Sequence, residues 1–122
     1  VVAGIGCRAQ ATCEDILNII RQAQQDMPRF THLAAPDFRR DIKALGDAAK
    51  TLRLPLLFIG RAALERMQPL CPTHSEAALN ATGLASVAEA CALAGAGQGA
   101  RLLAPRRDGA GVTCAVAAGS GA

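Results

Sequence analysis

Val1 to Ile5 is a short, unbroken apolar run that meets glycine, the pattern of a buried strand. The apolar positions then switch to helical spacing. Ile16, Leu17, Ile19, Ile20 and Ala23 make one stripe along a helix that Thr12 opens, with Asp15 as its capping partner, and that runs to about Gln25 before Pro28 stops it. Phe30 to Ala34 reads as a second strand. A helix beginning at Asp37 or Asp41 places Ile42, Leu45, Ala48, Ala49 and Leu52 on one face. Pro55 to Ile59 is a further apolar strand closed by Gly60, followed by a short helix from Arg61 to Met67 and a rigid loop around Pro69, Cys71 and Pro72.

Thr73 to Asn80 has room for one or two helical turns, with Thr73 and Glu76 as a capping pair. Ser86-Val87-Ala88-Glu89 is a capping box for an Ala-rich helix reaching about Ala94, where Gly95, Gly97 and Gly99 end it. Ala100 to Ala104 and Val112 to Ala117 read as strands on either side of a Pro-Arg-Arg-Asp-Gly-Ala-Gly turn, a β-hairpin. The tail from Gly119 to Ala122 is expected to fray. This alternation predicts an α/β fold: a three-layer α/β/α sandwich on a mostly parallel mixed sheet of about five strands, with a C-terminal antiparallel hairpin. At 122 residues, positions 1–122 read as a single domain.

Composition narrows the function. Apolar residues are 51% and charged residues 19% of the chain, which argues against disorder. Aromatic residues are only 2% (Phe30, Phe38 and Phe58), which leaves no stacking platform for bases and argues against a nucleic-acid partner. The net charge of +3 is a mild bias toward anionic ligands. Five cysteines without CxxC spacing argue against a disulfide framework and a Cys-based zinc site, and no metal or cofactor is expected. Free thiols, the lack of a signal peptide's basic flank at the N-terminus, and the lack of a membrane-length apolar run together predict a cytoplasmic protein without membrane association.

Two turns carry the candidate chemistry. Gly4-Ile5-Gly6 sits where a strand gives way to a helix, the place where open α/β sheets bind ligands. A dinucleotide fingerprint fails, because position 9 is Ala9 and no acidic residue ends the second strand. The glycines then serve close approach to another ligand, or simply a tight turn. Cys7, beside Arg8 and ahead of a helix N-terminus, is the candidate nucleophile, since both neighbours would lower its pKa. Only His32 and His74 are available as bases, and neither has a motif around it. Thr82-Gly83 with Ser86 and Glu89 is the second turn, in which Glu89 is expected to fold back on the Ser86 backbone. Arg106 and Arg107 fall in the hairpin turn, where solvated charge is their plain role.

Taken together these segments resemble the CobE family of cobalamin (vitamin B12) biosynthesis, which also occurs as the C-terminal domain of CbiG. The resemblance rests on Gly4-Ile5-Gly6-Cys7-Arg8, on Leu45 through Leu56, on Thr82-Gly83 with Ser86-Val87-Ala88-Glu89-Ala90, and on Leu102-Leu103-Ala104-Pro105-Arg106 with Val112-Thr113-Cys114-Ala115-Val116. It departs from the family at Arg39 and Ile42, where a Lys and, three residues on, a Glu are usual, and at Arg106, where the family usually has Lys. The resemblance implies a stand-alone, CobE-like domain that binds a precorrin-type tetrapyrrole as a carrier or accessory protein. Two alternatives remain: a CbiG-like hydrolase or lyase opening a precorrin lactone, and an interaction module for other corrin-pathway enzymes. The ligand-binding residues expected on this basis are Gly4, Gly6, Cys7, Arg8, Thr82, Gly83, Ser86, Glu89 and Arg106.

Overall fold

The computed structural model describes residues 1–119 and gives the order β1 (Val2–Cys7), α1 (Cys13–Gln24), β2 (His32–Pro36), a 3-10 turn (Asp37–Arg39), α2 (Lys43–Leu52), β3 (Leu56–Ile59), α3 (Arg61–Met67), a second 3-10 turn (Gln68–Leu70), α4 (Glu76–Thr82), α5 (Ala88–Ala96), β4 (Arg101–Asp108) and β5 (Val112–Ala118). The fraying expected of the tail falls mostly on residues 120–122, outside the described residues.

The strands form one five-stranded sheet in the order β3-β2-β1-β5-β4. β1, β2 and β3 pair in parallel, while β5 pairs antiparallel with both β1 and β4, so four strands point one way and β5 alone opposes them. This is the expected α/β/α sandwich. Along β1 the side chains alternate by the period of a strand. Ala3 and Ile5 join Ile16, Ile19, Ile20 and Leu45 of α1 and α2 in one core layer; Val2 joins Leu64 of α3 and the α5 side chains in the other.

Local chemistry explains where elements begin and end. Thr12 caps α1, its hydroxyl accepting from the Asp15 N–H at 3.1 Å, as the spacing predicts. β2 begins at His32, two residues later than expected, because Phe30 is used differently: its ring is buried in the turn that precedes the strand. Gln24 holds that turn, donating to the Met27 and Pro28 carbonyls and accepting from the Phe30 N–H. α4 is capped by Ser75 and not by Thr73, whose hydroxyl is engaged elsewhere. Gly95 does not end α5 but lies within it, where a Cβ would sit only 3.0 Å from the Ala34 Cβ and 3.1 Å from Val2 Cγ1.

The hairpin differs most from expectation. β4 continues through Pro105, Arg106, Arg107 and Asp108, leaving only Gly109, Ala110 and Gly111 as the turn. Pro105 has no N–H to give to a ladder, and the register with β5 shifts between Ala104 and Arg107. The resulting bulge turns the Arg106 N–H away from β5.

Candidate functional site

A cleft of about 430 Å³ opens at the carboxyl ends of β1 and β2, beside the point where the chain returns to the sheet as β5. Crevices at strand carboxyl ends are where open α/β sheets bind ligands. Gly4, Ile5 and Gly6 are not a turn but are paired with β5 within β1. Gly6 and Cys7 at the end of that strand and Arg8 just beyond it line the cleft, Pro36, Phe38 and Arg39 come from the end of β2, and Arg106, Asp108, Gly109 and Gly111 from the hairpin. α4 forms the opposite wall through Ser75, Ala77, Ala78, Ala81 and Thr82. A shallower hollow at the start of α2 adjoins it at Phe38 and Arg39.

Three guanidinium groups reach the cleft. Arg8 is exposed, and among the described residues its side chain has no ion pair and no hydrogen bond. Arg39 donates from Nε to the Cys7 carbonyl at 3.1 Å and packs 5.4 Å from the Phe38 ring centre, with no carboxylate partner among the described residues. Arg106 pairs through Nε with Asp108 at 3.1 Å. Two of the three cations therefore have no carboxylate partner among the described residues, in a cleft whose lining mixes Ala77, Ala78, Ala81, Val87 and Phe38 with Ser75, Thr82 and Thr113.

Of the residues expected to bind ligand, Gly6, Cys7, Arg8, Thr82 and Arg106 line this cleft, while Gly4, Gly83, Ser86 and Glu89 do not. Gly4 faces α5: a Cβ there would fall 2.1 Å from the Ala88 carbonyl oxygen and 2.4 Å from the Ala92 nitrogen. Its work is helix–sheet contact. Gly83 has the left-handed conformation that ends α4, with φ +80°, and lies against the Arg61 guanidinium. Arg39 is not among the residues expected to bind; in the sequence only its family position marks it, and its place at the end of β2 follows from the tertiary fold.

Ser86 and Glu89 do not form the expected capping box. The Ser86 N–H donates to Gln68 Oε1 at 3.1 Å, and Gln68 Nε2 donates to the Ser86 carbonyl at 2.9 Å. With its backbone bonded by Gln68, Ser86 meets Glu89 through its hydroxyl at 2.9 Å. Glu89 also accepts from the N–H and hydroxyl of Thr73 and from the Arg106 N–H freed by the bulge.

Cys7 does not have the environment of an activated nucleophile. Burial pushes its thiol pKa up, and the cation that opposes this is Arg39, not Arg8. A raised pKa leaves less thiolate, the reactive form. Neither histidine serves as its base. His32 bonds Thr31 at 2.8 Å at the start of β2, the opposite end of the sheet from the cleft, and His74 pairs with Glu76 on the surface at 3.0 Å. Among the described residues no cluster of His, Cys, Asp and Glu is placed to hold a metal, and no helix is long and apolar enough to cross a membrane.

These features define a class: an α/β/α sandwich with an arginine-lined cleft at the carboxyl ends of its central strands. Comparison with known proteins gives the family. Residues 1–117 match the family model described as Cobalamin synthesis G C-terminus. Over 121 residues the chain is 31% identical to Protein CobE from Sinorhizobium sp, covering 96% of this chain and 79% of that protein. The crystal structure of CobE, a protein from the cobalamin (vitamin B12) biosynthetic pathway, superimposes with a TM-score of 0.87 at 34% identity, covering 95% of this chain and 87% of that one. Cobalamin biosynthesis protein chiG from Agrobacterium tumefaciens gives a TM-score of 0.79 at 41% identity, with 98% of each chain covered. The chain belongs to the cobalamin synthesis G C-terminal family, and so to the proteins of cobalamin biosynthesis.

Proposed function

We propose that the protein binds a precorrin-type tetrapyrrole in the arginine-lined cleft and acts as a carrier or accessory protein for it. The observation that carries this reading is the pair Arg8 and Arg39, cations without carboxylate partners among the described residues, beside the apolar Phe38 and Val87. A tetrapyrrole presents the complementary surface: a flat apolar ring edged with acetate and propionate groups. Guanidinium groups bind carboxylates through charge-assisted hydrogen bonds. The cleft and the adjoining hollow, about 430 and 520 Å³, meet at Phe38 and Arg39 and offer a broad face to one edge of such a ring. A ligand held by one edge stays accessible to the next protein that takes it.

Binding is favoured over hydrolysis because among the described residues the cleft pairs no nucleophile with a base, and the Cys7 thiol is shifted away from the reactive form. A spectroscopic titration with a precorrin tests the reading. Arg8→Ala is expected to weaken binding about tenfold, the value of one charge-assisted hydrogen bond, and added salt to weaken the wild type. Unchanged affinity removes Arg8 from the site. The recovered tetrapyrrole should keep its mass, and a mass change would overturn the carrier role in favour of catalysis.

A further inference from the structure

Glu89 stands in the first turn of α5, is fully buried and lines no part of the cleft. Its Oε1 accepts from the Thr73 N–H at 3.0 Å and the Ser86 hydroxyl at 2.9 Å; its Oε2 accepts from the Thr73 hydroxyl at 2.9 Å and the Arg106 N–H at 3.0 Å. A glutamate that served only its own helix start would bond one segment. This one joins three: the strap before α4, the turn before α5, and the bulge in β4.

Two of those segments end in the cleft. Thr73 lies two residues before Ser75, the cap of α4, and Arg106 enters the cleft from the bulge. α4 has no buried residue, so its place depends on its ends: the Thr73 bonds, the Ser75 N–H to the Ala85 carbonyl at 2.9 Å, and the Thr82 hydroxyl to the Leu84 carbonyl at 3.2 Å.

We propose that Glu89 is a positioning residue of the cleft, setting the α4 wall and Arg106 at the spacing in which both meet one ligand. The proposal deepens the tetrapyrrole reading and rests on it for the ligand, but the positioning itself is visible without one. Gln has the shape of Glu and only one acceptor oxygen, so in Glu89→Gln the amide NH2 faces a backbone N–H, of Thr73 or of Arg106, that it cannot accept from, while the hydroxyl beside it can turn to accept. Thr73→Val removes one bond at a half-exposed position, where the fold is safer, and Thr73→Ser restores it.

Hydrogen exchange in the unliganded protein is the first readout, at the Leu79 and Gly83 amides, whose bonds to the Ser75 and Leu79 carbonyls close the two ends of α4, and at the Arg106 amide. Exchange there should quicken about tenfold in Glu89→Gln and roughly threefold in Thr73→Val, with β1 amides unchanged and Thr73→Ser like the wild type. Unaltered exchange at all three amides in both variants overturns the positioning role. The second readout is affinity for an octacarboxylated porphyrin as probe. Glu89→Gln should weaken it about tenfold, and adding Arg106→Ala should cost less than it does in the wild type. Strictly additive losses overturn action through Arg106. A wild type that ignores the probe overturns the tetrapyrrole reading, while the exchange result still decides whether Glu89 sets the two walls.

Discussion

On one face of the sheet, α1 and α2 present Ile16, Ile19, Ile20 and Leu45, each at most 2% exposed, from helices whose other sides meet solvent. On the other face α5 is buried nearly all round and built from Ala88, Ala90, Cys91, Ala92 and Ala96. Bulky side chains fill the first layer, and the second is filled by bringing backbone close to backbone. Gly4 and Gly95 make that approach possible, since a Cβ at either would strike what now packs against it. The difference bears on function. Because α5 lies so close on β1, Val87 comes within 3.5 Å of where a Gly6 Cβ would stand, and Glu89 reaches both Thr73 and Arg106. The tight face builds the support of the cleft.

If the faces pack by these opposite means, opposite substitutions should break them. Gly4→Val should be the most damaging, about 4 kcal/mol or more, above the usual cost of overpacking because the obstacle is the α5 backbone. Urea unfolding measures it, and a loss below about 1 kcal/mol would mean that α5 is free to lift from the sheet. Ile16→Ala on the other face should cost about 3 kcal/mol through the cavity it leaves. A cost near that of an exposed site would place Ile16 outside the layer that organises α1.

The smallest effect compares one thiol from each face. Burial pushes Cys114, in the α1–α2 layer, up to about 12 from its ordinary 9.0, and raises Cys91, in the α5 layer, further still. An acid whose pKa is higher in the folded state keeps its proton there while the unfolded chain loses it. Both contributions to stability are therefore complete below pH 9 and fall away as pH rises from 9 through the folded values. Each thiol should lower stability by about 1 kcal/mol per pH unit in that window. Unfolding followed from pH 8 to 11 should show the slope reduced in Cys91→Ala and in Cys114→Ala. A slope that neither variant alters would show that water reaches both layers.

Periodicity alone determined much of this protein. The α1 stripe, its Thr12 cap, the apolar runs of β1 and β3 and the strand–helix alternation are local patterns, and local patterns follow from side-chain spacing along one element. Gly6, Cys7, Arg8, Thr82 and Arg106 line one cleft, at the strand ends and turns where an α/β sheet opens. Other features depended on partners distant in sequence. Gly4 meets α5 more than 80 residues later, a contact no local window contains. Ser86 and Glu89 have the spacing of a capping box, yet Gln68 takes the backbone that Glu89 was expected to bond, and the bulge at Pro105 supplies a donor in its place. Arg39 joins Arg8 only because β2 pairs in parallel with β1, so that both strands end at the same edge. Spacing selects which bonds a residue can make; the packed fold decides which of them it makes, because a buried polar atom bonds whatever donor the surrounding segments bring within reach.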